Sequence, residues 1–162
     1  MKHFELNEFV VSAMAKANKI DNTPTESATR HINEMVNNLL DPLREAWAVY
    51  CANGHIGSAA LRVSSGYRCP QLNKMVGGSP TSAHAAGYAA DIVPENGRLL
   101  EFKRFAREWL QKTGRKFDQM ISEDEDGKGV PQWVHFGYKR PNGDQRKAFK
   151  SYFKKQYIPM TK

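Results

Sequence analysis

The stretch Ser82-Ala83-His84-Ala85-Ala86-Gly87-Tyr88-Ala89-Ala90-Asp91 decides how this chain folds and what chemistry it can carry. It contains a histidine and an aspartate, and a second histidine follows in Trp133-Val134-His135-Phe136-Gly137. Two imidazoles and one carboxylate are a common set of protein ligands for catalytic zinc, which keeps a fourth position for water. The sequence therefore predicts a metal site formed by His84, Asp91 and His135.

The neighbours of these residues favour that interpretation. Asp91 begins the apolar segment Asp91-Ile92-Val93, where an unpaired carboxylate would be costly to bury. Val134 and Phe136 should lie on one face of a strand and point to the protein core, so His135 between them should point to the opposite face. A shared cation would neutralise a carboxylate and imidazoles placed in this way.

Hydrophobic periodicity predicts helices first and strands later, which is typical of an α+β fold. One helix is expected over Leu6 to Ala17, and another from near Thr25 to Asn53-Gly54 with a break or kink at Asp41, before Pro42. Further helices are expected over Cys69 to Val76 and Leu99 to Leu110, and strands over Ala60 to Ser65, Tyr88 to Val93, Phe117 to Ser122 and Trp133 to Tyr138. The last two strands should form an antiparallel hairpin.

Length and composition indicate one globular domain. The 162 residues are 40% hydrophobic, and no apolar run approaches the roughly 20 residues of a membrane span. The segment Met1 to Glu8 does not resemble a secretory signal, so we expect synthesis in the cytoplasm, with later release by lysis or another route. Cys51 and Cys69 are expected to be reduced thiols rather than a bridge.

The chain is basic, with 24 Lys and Arg against 17 Asp and Glu, and much of the excess lies near the C-terminus. Such a surface attracts polyanions in general, including nucleic acid, anionic lipid and cell-wall polymers. No nucleic-acid motif is present, so no nucleic-acid partner is expected. We interpret residues 139–162 as a basic tail with solvated helical clusters, beside a core over about residues 4–138. A monomer is expected.

The motifs resemble a known family. Ser-x-His-x-x-Gly-x-Ala-x-Asp followed by Trp-x-His is similar to zinc D-alanyl-D-alanine carboxypeptidases and L-alanyl-D-glutamate endopeptidases, and small phage-type or prophage-type members match best. The segments Ser64-Ser65-Gly66-Tyr67-Arg68, Leu72-Asn73, Gly77-Gly78-Ser79 and Phe117-Asp118-Gln119 continue the resemblance. It implies the Hedgehog/DD-peptidase fold, in which a small antiparallel sheet carries the metal and packs against N-terminal helices.

The resemblance also implies roles for individual residues. His84, Asp91 and His135 would bind Zn²⁺, and Arg68 would stabilise the oxyanion, although a surface arginine beside a turn is the alternative. Ser82 is either a substrate-facing hydroxyl or a loop cap, and Gln119 is a candidate substrate-binding residue. These assignments predict a zinc metallopeptidase acting on peptidoglycan stem peptides, as a phage lysis enzyme would.

The proton-transfer group departs from the family pattern. Many relatives have Glu or Asp three residues before the last ligand, and this chain has Gln132 there. Gln119, Ile121 and Glu123 should share one face of their strand, so Glu123 is the candidate general base. Asp124, Glu125 and Asp126 are expected to be solvated loop charges. The absent acid at Gln132 also keeps open a non-catalytic protein that retains the fold and binds cell wall or belongs to a phage particle.

Overall fold

The computed structural model describes residues 1–160, and within them helices and strands follow the predicted α+β order. The helices are α1 (Leu6–Val10), α2 (Ala13–Ala17), α3 (Glu26–Met35), α4 (Asp41–Gly54), α5 (Pro70–Met75), α6 (Ala83–Ala86) and α7 (Leu99–Thr113). The strands are β1 (Leu61–Ser65), β2 (Ala89–Pro94), β3 (Gln119–Glu123), β4 (Trp133–Gly137), β5 (Ala148–Phe153) and β6 (Gln156–Pro159). The predicted fold class is confirmed.

The six strands form one sheet in the order β1-β2-β4-β3-β5-β6. All neighbouring strands are antiparallel except β3 and β5, which pair in parallel. The hairpin predicted from the sequence is the β3–β4 pair. The mostly antiparallel sheet agrees with the fold that the motifs implied.

One face of the sheet packs against α7, which packs in turn against α4. The ring of Phe102 on α7 lies 5.2 Å from Trp47 on α4 and 6.1 Å from Phe136 on β4, measured between centroids. These three side chains are fully buried, as are Ile92 and Val134 on the central strands. Because strand residues alternate in direction, the intervening residues of β2 and β4 face the opposite side.

The N-terminal helices differ from the prediction in two places. Residues 6–17 form two short helices rather than one, because Ser12 is extended and its Oγ accepts a hydrogen bond from Ala15 N at the start of α2. An irregularity is present next to Asp41, as predicted, but it is a π-helical turn rather than a break at Pro42. A π-helical turn, Val36–Leu40, connects α3 to α4, and Asp41 N–H donates to Val36 O, five residues back. The wider turn leaves room for the proline near the start of α4.

The C-terminal segment is also different from the expectation. The predicted helical clusters are wrong, because β5 and β6 extend the sheet beyond β3, and residues 161–162 lie outside the described part. Glu125 is not a solvated loop charge. Its carboxylate is buried and accepts hydrogen bonds from Lys103 Nζ (2.6 Å) and Ser151 Oγ (2.7 Å). Cys51 and Cys69 are buried free thiols, as expected.

Among residues 1–160, no helix combines the length and apolar character needed to cross a membrane.

Candidate metal centre

His84 is held by a four-residue helix with a defined cap at each end. Ser82 caps α6, since its Oγ accepts a hydrogen bond from His84 N at 3.2 Å. Gly87 ends the helix with φ +80°, and a Cβ there would lie 2.6 Å from Ala28 O. Only glycine combines that backbone conformation with such a close approach. The glycine between the two predicted ligands is therefore a geometric requirement of the motif.

Asp91 and His135 lie opposite each other on neighbouring strands of the sheet. Asp91 of β2 is in register with His135 of β4, and His135 is in register with Ile121 of β3. Both polar side chains are on the face away from α7, as the alternation of Val134 and Phe136 predicted. All three predicted ligands, His84 included, are buried.

The three side chains converge through one atom each. His135 Nδ1 lies 2.9 Å from Asp91 Oδ1 and 3.2 Å from His84 Nε2, and His84 Nε2 lies 3.4 Å from Asp91 Oδ1. The other nitrogen of His84, Nδ1, is 2.7 Å from Gly66 O and donates to it. In the neutral ring this leaves Nε2 without a hydrogen, so it is a lone-pair donor facing a carboxylate.

These contacts fit a zinc ion better than they fit a hydrogen-bond network. Ligand atoms about 2.0–2.1 Å from a tetrahedral zinc lie about 3.3 Å from one another. The three separations, 2.9–3.4 Å, are close to that value. A single Nδ1–H on His135 cannot satisfy both His84 and Asp91. In addition, the buried Nε2 of His135 has no hydrogen-bond partner among residues 1–160.

The protonation states of two ligands also suit a cation. Burial, the largest effect on His84, lowers the pKa of its imidazole, which keeps the ring neutral. Burial alone would raise the pKa of Asp91, but the adjacent His84 and the hydrogen bond with His135 outweigh it, and the pKa lies well below its usual range. A neutral imidazole and an ionised carboxylate are the forms that bind metals.

Comparison with known proteins then assigns the chain. The sequence model of the peptidase M15 family matches residues 2–121 of the 162. The chain belongs to the peptidase M15 family. Members of this family are zinc-dependent, and membership together with the His84–Asp91–His135 cluster implies a metallopeptidase. No curated protein matches the chain.

The M15 match ends before two of the predicted site residues. His84 and Asp91 lie inside the matched range, whereas Glu123 and His135 lie beyond it. The third ligand therefore rests on the strand register and the measured distances. That placement agrees with the sequence prediction.

Arg68 lies beside the ligand carboxylate in this M15 protein. Its Nη2 donates to Asp91 Oδ2 at 3.4 Å and to Ser65 Oγ at 3.0 Å, and its side chain is 21% exposed. Arg68 is therefore partly buried beside Asp91, and its role in oxyanion stabilisation stays a prediction. Nη1 has no hydrogen-bond partner in the described residues, so one amino group can still contact a substrate oxygen.

Glu123 lies near the His84–Asp91–His135 cluster. Within residues 1–160, no contact connects the side chain of Gln132 to that cluster. Glu123 pairs with Trp133, two positions along the strands from the Ile121–His135 pair, so Glu123 and His135 are on the same face of the sheet. Diagonal neighbours of this kind have backbone positions about 7–8 Å apart. Burial raises the pKa of Glu123 to about 7, while the charge of His135 lowers it and that of Asp91 raises it. Gln132 is exposed and its backbone N–H donates to Glu123 O.

Two clefts adjoin the centre. One has a volume of about 300 Å³ and is lined by His84 and His135 together with both predicted substrate-binding residues, Ser82 and Gln119. The other, of about 370 Å³, contains Arg68 and an apolar wall formed by Val11, Met14, Leu72 and Val76. Ser82 is a helix cap that also lines a cleft, so both of its predicted roles fit its position.

Three further cleft residues were missed by the sequence analysis. Arg140, Arg146 and Tyr157 line the same cleft as His84 and His135, and all three come from the segment interpreted as a basic tail. The available strand signal was the aromatic content of residues 148–153, since Phe149, Tyr152 and Phe153 all favour strands. The lysine clusters around it concealed that pattern.

Proposed function

We propose that this M15 protein is a zinc-dependent peptidase that hydrolyses a peptide bond in peptidoglycan stem peptides, of the D-Ala-D-Ala carboxypeptidase or L-Ala-D-Glu endopeptidase type. The observation that carries the proposal is the convergence of His84 Nε2, Asp91 Oδ1 and His135 Nδ1 within 3.4 Å of one another. The motif resemblance supplies the substrate class. The basic C-terminal segment is suited to an anionic wall, which supports a role in lysis after release from the cytoplasm.

The chemistry follows from the residues around the cluster. A zinc ion held by the three ligands would polarise the scissile carbonyl and lower the pKa of a water molecule to about 7. Glu123 takes a proton from the attacking water and returns it to the leaving amine, for which a carboxylate with a pKa of about 7 is well matched. The free Nη1 of Arg68 stabilises the negative charge that develops on the carbonyl oxygen.

Substitution of the first ligand tests the proposal. His84→Ala removes one of the three converging atoms, and we expect loss of stoichiometric zinc and of muropeptide cleavage, measured by metal analysis and by mass spectrometry of defined fragments. His55→Ala is the matched control, because His55 is exposed and, within residues 1–160, its ring hydrogen-bonds only with Ala52 O. Cleavage by metal-free His84→Ala at the parent rate would contradict the assignment.

A non-catalytic cell-wall-binding protein is the second candidate. It is favoured by Gln132, an exposed amide at the position where many relatives have an acid. Glu123→Gln separates the candidates, since removal of a general base typically lowers the rate by about 10²–10⁴-fold. We expect that loss in kcat with zinc content unchanged, whereas Gln132→Ala should retain parental activity. A zinc-loaded parent that releases no product supports the binding protein, and an active Glu123→Gln would exclude Glu123 as the base.

A further inference from the structure

The C-terminal segment, residues 138–160, contributes one wall of the cleft that contains His84 and His135. It follows β4, adds β5 and β6 to the sheet, and lies beyond the residues matched by the family. Arg140 and Arg146 come from the loop between β4 and β5, and Tyr157 comes from β6. This wall therefore lies outside the residues that the family model matches.

Arg146 is fixed in place by its neighbours. Its Nε donates to Asp118 Oδ1 and its Nη2 to Asp118 Oδ2, both at 2.7 Å, and Nη2 also donates to Gln119 Oε1 at 3.1 Å. Asp118 is buried, and both oxygens of its carboxylate accept a hydrogen bond from Arg146. Nη1 of Arg146 has no hydrogen-bond partner in residues 1–160, and the side chain is 42% exposed. A guanidinium held on one edge and open on the other loses little entropy when it binds a ligand.

Arg140 adds a second guanidinium to the same wall. Its closest ionic contact is Asp144 Oδ2 at 3.6 Å, too long for a strong hydrogen bond, and its side chain is 44% exposed. Tyr157 and Gln119 supply further polar groups in this cleft. Two arginines therefore line this recess beside the candidate metal site, and arginine binds carboxylates with matched geometry.

From these contacts we infer that Arg140 and Arg146 bind a carboxylate of the peptide substrate, on the side of the scissile bond that occupies this cleft. The inference rests on the proposed function and adds a specificity determinant to it. The carboxylate belongs either to the C-terminus of the peptide or to an isoglutamyl residue within it. The second cleft, with its apolar wall, would receive the uncharged side of the substrate.

The test compares acid and amide forms of one peptide. Zinc-loaded Glu123→Gln protein, which should bind without turnover, is titrated by calorimetry with a stem peptide, with its C-terminal amide, and with the isoglutamine form. Replacing the recognised carboxylate by an amide should weaken binding by about 10- to 100-fold, as expected for charge-assisted hydrogen bonds. The peptide that loses affinity identifies which carboxylate is bound.

Variants of Arg140 and Arg146 test whether these two residues cause the preference for the acid over the amide form. In the same background, Arg140→Gln and Arg146→Gln should each reduce the acid-to-amide ratio towards one, whereas Arg104→Gln, exposed on α7 and remote from this cleft, should retain it. Arg140→Gln tests the inference independently of folding, because Arg146→Gln also removes the two guanidinium hydrogen bonds to the buried Asp118. Equal affinity for acid and amide forms, or a full preference in both arginine variants, would overturn the inference.

Cleavage assays on the unsubstituted protein keep the two proposals apart. If the protein cuts none of these peptides but discriminates acid from amide through Arg140 and Arg146, the peptidase proposal fails and the carboxylate site stands. If it cuts them without discrimination, the carboxylate site fails and the peptidase stands.

Discussion

Asp91 and Glu123 are two carboxylates on one face of the same sheet, and their surroundings drive their pKa values in opposite directions. Asp91 contacts two imidazoles and the Arg68 guanidinium, and its pKa is held well below the usual range. Glu123 makes no side-chain hydrogen bond with the described residues, and burial raises its pKa to about 7. Such a separation is typical of sites in which one carboxylate binds a cation and the other transfers protons.

The raised pKa of Glu123 predicts a pH-dependent stability in the metal-free protein. Between the ordinary value of 4.5 and about 7 the folded state binds more protons than the unfolded state, so Glu123 lowers stability progressively as pH rises through that window. Glu123→Gln should therefore raise the melting temperature above pH 7 and have little effect near pH 4. Thermal unfolding with a chelator measures this, and Glu108→Gln on α7 controls for the change in charge. An equal shift at both pH values would contradict the prediction.

At the scale of elements, a buried ion pair connects the C-terminal hairpin, formed by β5 and β6, to the rest of the fold. Lys103 of α7 contacts Glu125 in the β3–β4 loop, and Ser151 of β5 contacts the same carboxylate. Glu125 N also donates to Tyr152 O at 2.9 Å. Both charged side chains are only 1% exposed, so water does not screen them. The network joins a helix, a loop and a strand that are far apart in the sequence.

Lys103→Met should destabilise the protein strongly, because it removes a buried ammonium group that lies 2.6 Å from the buried Glu125 carboxylate. Loss of one partner of a buried pair costs about 3–5 kcal/mol. Lys112→Ala, which removes an exposed ion pair with Glu108 on the same helix, should cost about 0.5 kcal/mol or less. Urea unfolding followed by circular dichroism measures both, and the double variant Lys103→Met/Glu125→Leu should recover part of the loss. Similar midpoints for Lys103→Met and Lys112→Ala would refute this role.

Elements whose own residues carry a clear local pattern were predictable, and those without one were not, whatever the distance to their partners. His84, Asp91 and His135 were found because their residue types and motif spacing carry the information locally. The β3–β4 hairpin was equally local. By contrast, β5 pairs in parallel with β3 and shows no apolar–polar alternation, and Lys150, Lys154 and Lys155 made the segment resemble a solvated tail. The burial of Glu125 depends on its contact with Lys103, and no local sequence pattern predicts that contact.

At the scale of the whole molecule, the basic C-terminal segment lies next to the candidate metal centre. Residues 139–162 contain eight basic residues and one acid, so this segment carries the entire net charge of +7, and residues 1–138 are neutral overall. Its described part borders the cleft of the metal centre through Arg140, Arg146 and Tyr157. A long-range field centred on this segment would orient the site towards an anionic surface during encounter.

That distribution predicts that binding to isolated cell walls depends on salt. The Debye screening length falls from about 10 Å at 0.1 M salt to about 3 Å at 1 M salt. Adsorption to walls rich in anionic polymer should therefore weaken markedly over this range, as measured by co-sedimentation. Replacing Lys154 and Lys155 by Gln should produce a similar loss at low salt, because both side chains are exposed on the hairpin turn. Replacing Lys16 and Lys19 by Gln, an equal change of charge near α2, should have less effect. Salt-independent adsorption, or equal effects of the two double variants, would show that the C-terminal charge does not direct the protein to the wall.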